Sequence, residues 1–157
     1  SSPEPLMYVA GGGHHTVLSK SDGTAVACGR DDDGQCRIPA LVDGATYTQV
    51  AAGSTDTVLL KSDGTVVACG GYAYGRGQCS IPALAVGATY TQVAAGGGHT
   101  VLLKSDGTAV ACGNNYDGRC NIPALPDGAT YTQALVAVAC GMWGDPLGQC
   151  NIPSARS

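Results

Sequence analysis

Short apolar runs alternate with clusters of turn residues along most of the chain. Between residues 90 and 112, Tyr90-Thr-Gln-Val-Ala-Ala is followed by Gly96-Gly97-Gly98 and then His99-Thr-Val-Leu-Leu-Lys104. Ser105-Asp106-Gly107-Thr108 and Ala109-Val110-Ala111-Cys112 come next. β-prone runs of this length, separated by Gly, Ser and Asp, predict antiparallel strands joined by tight turns. Ser-Asp-Gly suits a hairpin turn in which Gly takes positive φ, so Asp22, Asp63 and Asp106 are expected to cap turns. No stretch keeps apolar residues at helical spacing for three turns. The pattern predicts an all-β chain.

The same pattern recurs. Tyr-Thr-Gln stands at Tyr47, Tyr90 and Tyr131, Ala-Cys-Gly at Cys28, Cys69, Cys112 and Cys140, and Ile-Pro at Pro39, Pro82, Pro123 and Pro153. A period of about 42 residues, filled with strands, lies in the range of propeller blades. One repeat domain over residues 1–157 is therefore expected, with units at 6–46, 47–89, 90–130 and 131–157. The first unit lacks Tyr-Thr-Gln and begins at Met7-Tyr8-Val9-Ala10. The fourth takes nine residues from Tyr131 to Cys140, where the third takes 22 from Tyr90 to Cys112. Atypical terminal units are usual in arrays.

Composition narrows the class. Twenty-four Gly and eight Pro leave little room for long helices, and 44 % hydrophobic residues argue against disorder. A net charge of −4 without a basic run makes nucleic acid an unexpected partner. The longest apolar run, Ala134 to Trp143, is too short to span a bilayer. The opening Ser1-Ser2-Pro3-Glu4-Pro5 shows no charged-then-apolar leader, so any targeting peptide is expected to have been removed or never to have existed.

Eight cysteines carry the most informative chemistry. They fall one pair to a unit, as Cys28 and Cys36, Cys69 and Cys79, Cys112 and Cys120, and Cys140 and Cys150, across gaps of seven or nine residues. Loop length varies while both cysteines stay, which favours two sulfurs meeting at the loop base. Buried free thiols and a metal site remain alternatives, although zinc prefers closer pairs and Cys-x-x-Cys is absent. Disulfides would place the chain in an oxidising compartment, secreted or within an organelle lumen such as that of the thylakoid.

The run from Val93 to Cys120 resembles a regulator of chromosome condensation repeat: glycine-flanked His-Thr, an Asp-Gly hairpin, then a Gly-rich loop. The family's Trp is replaced by Cys at Cys28, Cys69, Cys112 and Cys140. Its Leu after Gly-Gln is replaced at Cys36, Cys79, Cys120 and Cys150. Joint replacement of two apolar positions fits a contact pair converted to a disulfide. The resemblance implies a β-propeller, usually seven-bladed. About four units imply a small or incomplete one, and an open arc is preferred over a four-bladed ring.

Other candidates are weaker. Arg30-Asp31-Asp32-Asp33-Gly34 lacks the spacing and bidentate Glu of a calcium loop. The glycine runs at 11–13 and 96–98 lack the Lys-Ser/Thr of a phosphate cradle. His15 and His99 share a repeat position that Asp56 fills in the second unit, which favours a structural hydrogen bond over a catalytic base. No catalytic residue, metal site or cofactor is expected, and the chain is expected not to be an enzyme. Variable loops on a rigid base suit binding. Their aromatic and Met residues, Tyr72, Tyr74, Tyr116, Met142 and Trp143, are the candidate contacts with a larger protein or complex. That complex can itself be membrane-bound. The expected function is a non-enzymatic protein-binding scaffold, a small extrinsic or accessory subunit. The family resemblance implies the alternative, a regulatory module of a small-GTPase exchange or ubiquitin pathway.

Overall fold

The computed structural model describes residues 8–42, 44–71 and 77–132. They form nine strands in three antiparallel sheets of three: β1 (Val9–Gly11), β2 (His15–Ser19) and β3 (Ala25–Gly29); β4 (Tyr47–Ala52), β5 (Asp56–Lys61) and β6 (Val66–Gly70); β7 (Tyr90–Ala95), β8 (His99–Lys104) and β9 (Ala109–Gly113). Each sheet keeps sequence order, so every connection inside it is a hairpin. No helix occurs among the described residues. The all-β, incomplete-propeller reading holds.

The turns follow from local chemistry. Thr24 N donates to Asp22 Oδ1 at 2.9 Å, and Thr65 and Thr108 repeat the bond to Asp63 and Asp106. Gly23, Gly64 and Gly107 take φ of 83°, 80° and 80°. A Cβ on Gly23 would also lie 2.4 Å from Thr46 Cγ2, so conformation and space both demand glycine there. The three Asp residues are turn acceptors, as expected.

The core lies between sheets. Along β5, Leu59 packs into one cluster with Val17, Tyr47, Val50 and Ala52. Val58 and Leu60, pointing the other way, join Ala51, Tyr90, Val93, Ala95 and Leu102. Residue alternation along a strand sends neighbours to opposite faces, so a central sheet must be apolar on both. This is why β5 is buried from Asp56 through Leu60.

Tyr-Thr-Gln ties one repeat to the next. Tyr47 and Tyr90 donate their hydroxyls back to Pro39 O and Pro82 O, both at 2.6 Å. The register shifts between Tyr47 and Gln49, and Gln49 Nε2 then reaches forward to Thr91 O at 3.0 Å. Tyr90 and Gln92 repeat the irregularity, and Gln92 Nε2 donates to Thr132 O at 2.9 Å.

Candidate functional site

Two places carry chemistry: the junctions between consecutive sheets, and the loop tips beyond the cysteines. The first junction is built on Gln35, fully buried in the loop after β3. Its carbonyl accepts Thr57 Oγ1 at 2.7 Å and Cys69 Sγ at 3.6 Å, both from the second repeat. His15 Nε2 meets Thr57 Oγ1 at 2.8 Å. Because the Thr57 proton goes to Gln35 O, the imidazole must donate through Nε2, which leaves Nδ1 bare. His15 Nδ1 is indeed buried without a partner among the described residues. Burial holds the His15 pKa below its ordinary value.

An imidazole on a hydroxyl is also how a nucleophile is activated. Thr57 is 0 % exposed and its proton is committed to a carbonyl, so no substrate atom can reach it. The contact is structural, in keeping with the repeat position of His15.

The second junction repeats the frame with one difference. Thr100 Oγ1 donates to Gln78 O at 2.8 Å, and Cys112 Sγ reaches the same carbonyl at 3.6 Å. The position of His15 is taken by Asp56, which is 0 % exposed, and neither carboxylate oxygen has a hydrogen-bond partner among the described residues. Burial, offset only in part by the nearby Thr55 backbone, pushes its pKa up to about 7.

The cysteines differ from the expected pairing. Cys28, Cys36, Cys69, Cys79, Cys112 and Cys120 are all free thiols, so Cys28–Cys36, Cys69–Cys79 and Cys112–Cys120 are unbonded. Five of the six donate to backbone carbonyls instead: Cys36 to Arg30, Cys79 to Gly70 and Cys120 to Asn114 at the loop bases, Cys69 and Cys112 across the junctions. Burial raises the thiol pKa of Cys69 and Cys112 to about 11 and of Cys79 to about 12. Such thiols are protonated near neutrality and slow to react. Cys140 and Cys150 lie outside the described residues. Among the described residues no group of three or more His, Cys, Asp or Glu could hold a metal ion.

The loops beyond the cysteines have stiff bases. Asp31 Oδ1 accepts Cys36 N at 2.9 Å, and Asn115 Oδ1 accepts Cys120 N at 2.8 Å from the matching position. In the acidic loop, Asp31 and Asp32 are paired with Arg37 and Arg30, so these carboxylates serve the turn. Tyr116 stands 84 % exposed at the tip of the third loop. Tyr72, Tyr74, Met142 and Trp143, the other predicted contacts, lie outside the described residues. The junction glutamines are structural positions that the motifs alone do not single out; their recurrence before Cys36, Cys79 and Cys150 is the available signal. No helix of the described residues is long and apolar enough to cross a membrane.

Residues 90–119 match the family model for the regulator of chromosome condensation (RCC1) repeat. No curated protein matches the chain. Its fold is similar to human WBSCR16 (TM-score 0.63, 19 % identity, 83 % of this chain and 39 % of that one). It is also similar to yeast RCC1 (Prp20) solved bound to Kap60 (TM-score 0.60, 20 % identity, 76 % and 34 %). A third likeness is to the ectodomain of the Physcomitrella patens receptor kinase CR4 (TM-score 0.59, 22 % identity, 85 % and 34 %). Another structure of Prp20p, from Saccharomyces cerevisiae, is described together with its binding to Gsp1p and histones. The chain thus spans less than half the length of these structures.

Proposed function

We propose that this chain is a non-enzymatic protein-binding module of RCC1-repeat type, a small accessory subunit that docks through its loop tips onto a larger protein. The observation that carries the reading is Tyr116, 84 % exposed at the tip of a loop whose base is fixed by Asn115 and Cys120. A rigid base with a projecting aromatic is how repeat scaffolds present a contact. The sealed His15–Thr57 pair, the most reactive-looking contact on the described residues, supports the non-catalytic part. The similar yeast protein, solved with Kap60, supports a protein as partner.

Gsp1p, named with that same yeast protein, supports the second reading, a regulatory module on a small-GTPase pathway. An oxidising compartment belongs to the first reading and rests on the sequence alone.

The test is size-exclusion with mass determination on native extract, followed by Ser substitution of Tyr72, Tyr74, Tyr116 and Trp143. The chain should travel well above its own 15.6 kDa. The substituted chain should leave that complex with its strand spectrum unchanged. A native chain travelling alone, or a substituted chain that stays bound, ends the loop-face reading.

A further inference from the structure

In the second and third repeats the first cysteine lies against the residue that precedes the second cysteine of the repeat before it. Cys69 Sγ contacts the carbonyl of Gln35, the residue preceding Cys36, and Cys112 Sγ contacts that of Gln78, the residue preceding Cys79. The backbones meet as closely. A Cβ on Gly70 would lie 3.0 Å from Gln35 Cα, and one on Gly113 would lie 3.1 Å from Gln78 Cα. The chain neighbours of Cys36 and Cys69 are therefore in van der Waals contact, and so are those of Cys79 and Cys112. A disulfide spans Cα atoms up to ~7 Å apart, and its sulfurs must be reached without moving the backbone. Cys36 has both Cys28 and Cys69 as neighbours, and Cys79 has both Cys69 and Cys112, so each stands between a partner in its own repeat and one in the next. The resting sulfurs of Cys36 and Cys79 bond carbonyls of their own repeat, Arg30 O at 3.3 Å and Gly70 O at 3.5 Å, so a cross-repeat link needs each to turn about its side-chain bonds.

We propose that oxidation staples the repeats to one another, joining Cys36 to Cys69 and Cys79 to Cys112, in place of closing each repeat on itself. The links would fix the junctions that carry the buried Gln–Thr contacts, and the inference stands apart from the loop-face reading. The oxidant is a small-molecule disulfide such as oxidised glutathione. The Cys36 thiolate attacks one of its sulfurs, forming a mixed disulfide and expelling one glutathione thiolate. The Cys69 thiolate then attacks the Cys36 sulfur and expels the second glutathione. Two thiols become one disulfide, one glutathione disulfide becomes two glutathione thiols, and the two cysteine protons end on them. Cys36 acts first because it is partly exposed, whereas Cys69 is buried and its thiol is held at about 11.

Trypsin cuts after Lys20, Arg30, Arg37, Lys61, Arg76, Lys104, Arg119 and Arg156, which puts Cys28, Cys36, Cys69, Cys79 and Cys112 each on its own peptide and leaves Cys120 with Cys140 and Cys150 on 120–156. The full chain is reduced, incubated with oxidised glutathione until the distribution of linked peptides no longer changes, because these thiols react slowly, then alkylated and digested without reductant. Peptide 31–37 should appear linked to 62–76, and 77–104 to 105–119, in more than half of the oxidised protein, with Cys28 alkylated on 21–30. Peptide 21–30 linked to 31–37, or cross-repeat links in less than half, overturns the proposal. Cys28→Ser provides an independent arm: Cys36 should stay blocked, and an alkylatable Cys36 in that variant overturns it equally.

Discussion

The two junctions share one apolar design and differ in a single polar residue. Both bury a leucine completely, Leu59 in the first and Leu102 in the second. Both set a threonine hydroxyl on a glutamine carbonyl. The first adds His15, whose Nε2 completes Thr57. The second puts Asp56 in that place, with both oxygens unpartnered among the described residues. A neutral imidazole can donate where the site needs a donor; a carboxylate can do so only when protonated. In an array held together mainly by contacts between neighbours, such a difference makes one junction weaker than the other without changing the fold.

The largest effect tests whether the apolar half is truly shared. Leu59→Ala and Leu102→Ala each empty a fully buried site and should each cost about 2–5 kcal/mol. Urea unfolding should place the two variants close together. A large gap between them would mean that the junctions already differ in packing, and that Asp56 is not what separates them.

Asp56 gives the next effect, and its sign is fixed by the direction of the shift. Its carboxyl titrates at about 7 in the folded chain against an ordinary 3.8. The folded state therefore holds the proton more tightly across that window, and stability falls as pH rises from about 4 to about 7. The thiols of Cys69, Cys79 and Cys112 nearby stay neutral throughout, with pKa values of about 11 to 12. Asp56→His restores the donor of the first junction. The stability gained by the variant should be about 3 kcal/mol larger at pH 8 than at pH 5. Unfolding midpoints that respond equally at both pH values would show that the buried carboxyl is not being held protonated.

Much of this architecture is legible in the amino-acid sequence itself. Strand runs, Ser-Asp-Gly turns and the period stand out directly, because each is a local property of neighbouring residues. The contacts between repeats do not. Tyr47 and Gln49 recur as a motif, but recurrence does not say that the hydroxyl reaches back to Pro39 while the amide reaches forward to Thr91. Loop length pairs Cys36 with Cys28 and overlooks Cys69, which comes near only across the junction. Asp56 is visible as a departure from His15 and His99, yet only three dimensions show it sealed without a partner. Of the predicted contact residues, Tyr116 alone is described, and it is exposed.

The smallest effect separates the junctions most sharply. Thr57 holds two bonds, accepting from His15 Nε2 and donating to Gln35 O, whereas the side chain of Thr100 makes, among the described residues, the donation to Gln78 O alone. Valine keeps the shape of threonine and removes the hydroxyl. Thr57→Val then strands a buried imidazole N–H as well as weakening the hold on a carbonyl, and stranded buried groups cost roughly 1–3 kcal/mol. Thr100→Val loses the carbonyl bond alone and should cost about 1 kcal/mol or less. The difference should vanish in His15→Ala, where Thr57 no longer has a donor to receive. Thr57→Ser, which keeps the hydroxyl, should recover most of the loss. Equal costs for the two valine variants in the unsubstituted background would mean that the His15 bond contributes nothing, and the contrast between the junctions would then rest on Asp56 alone.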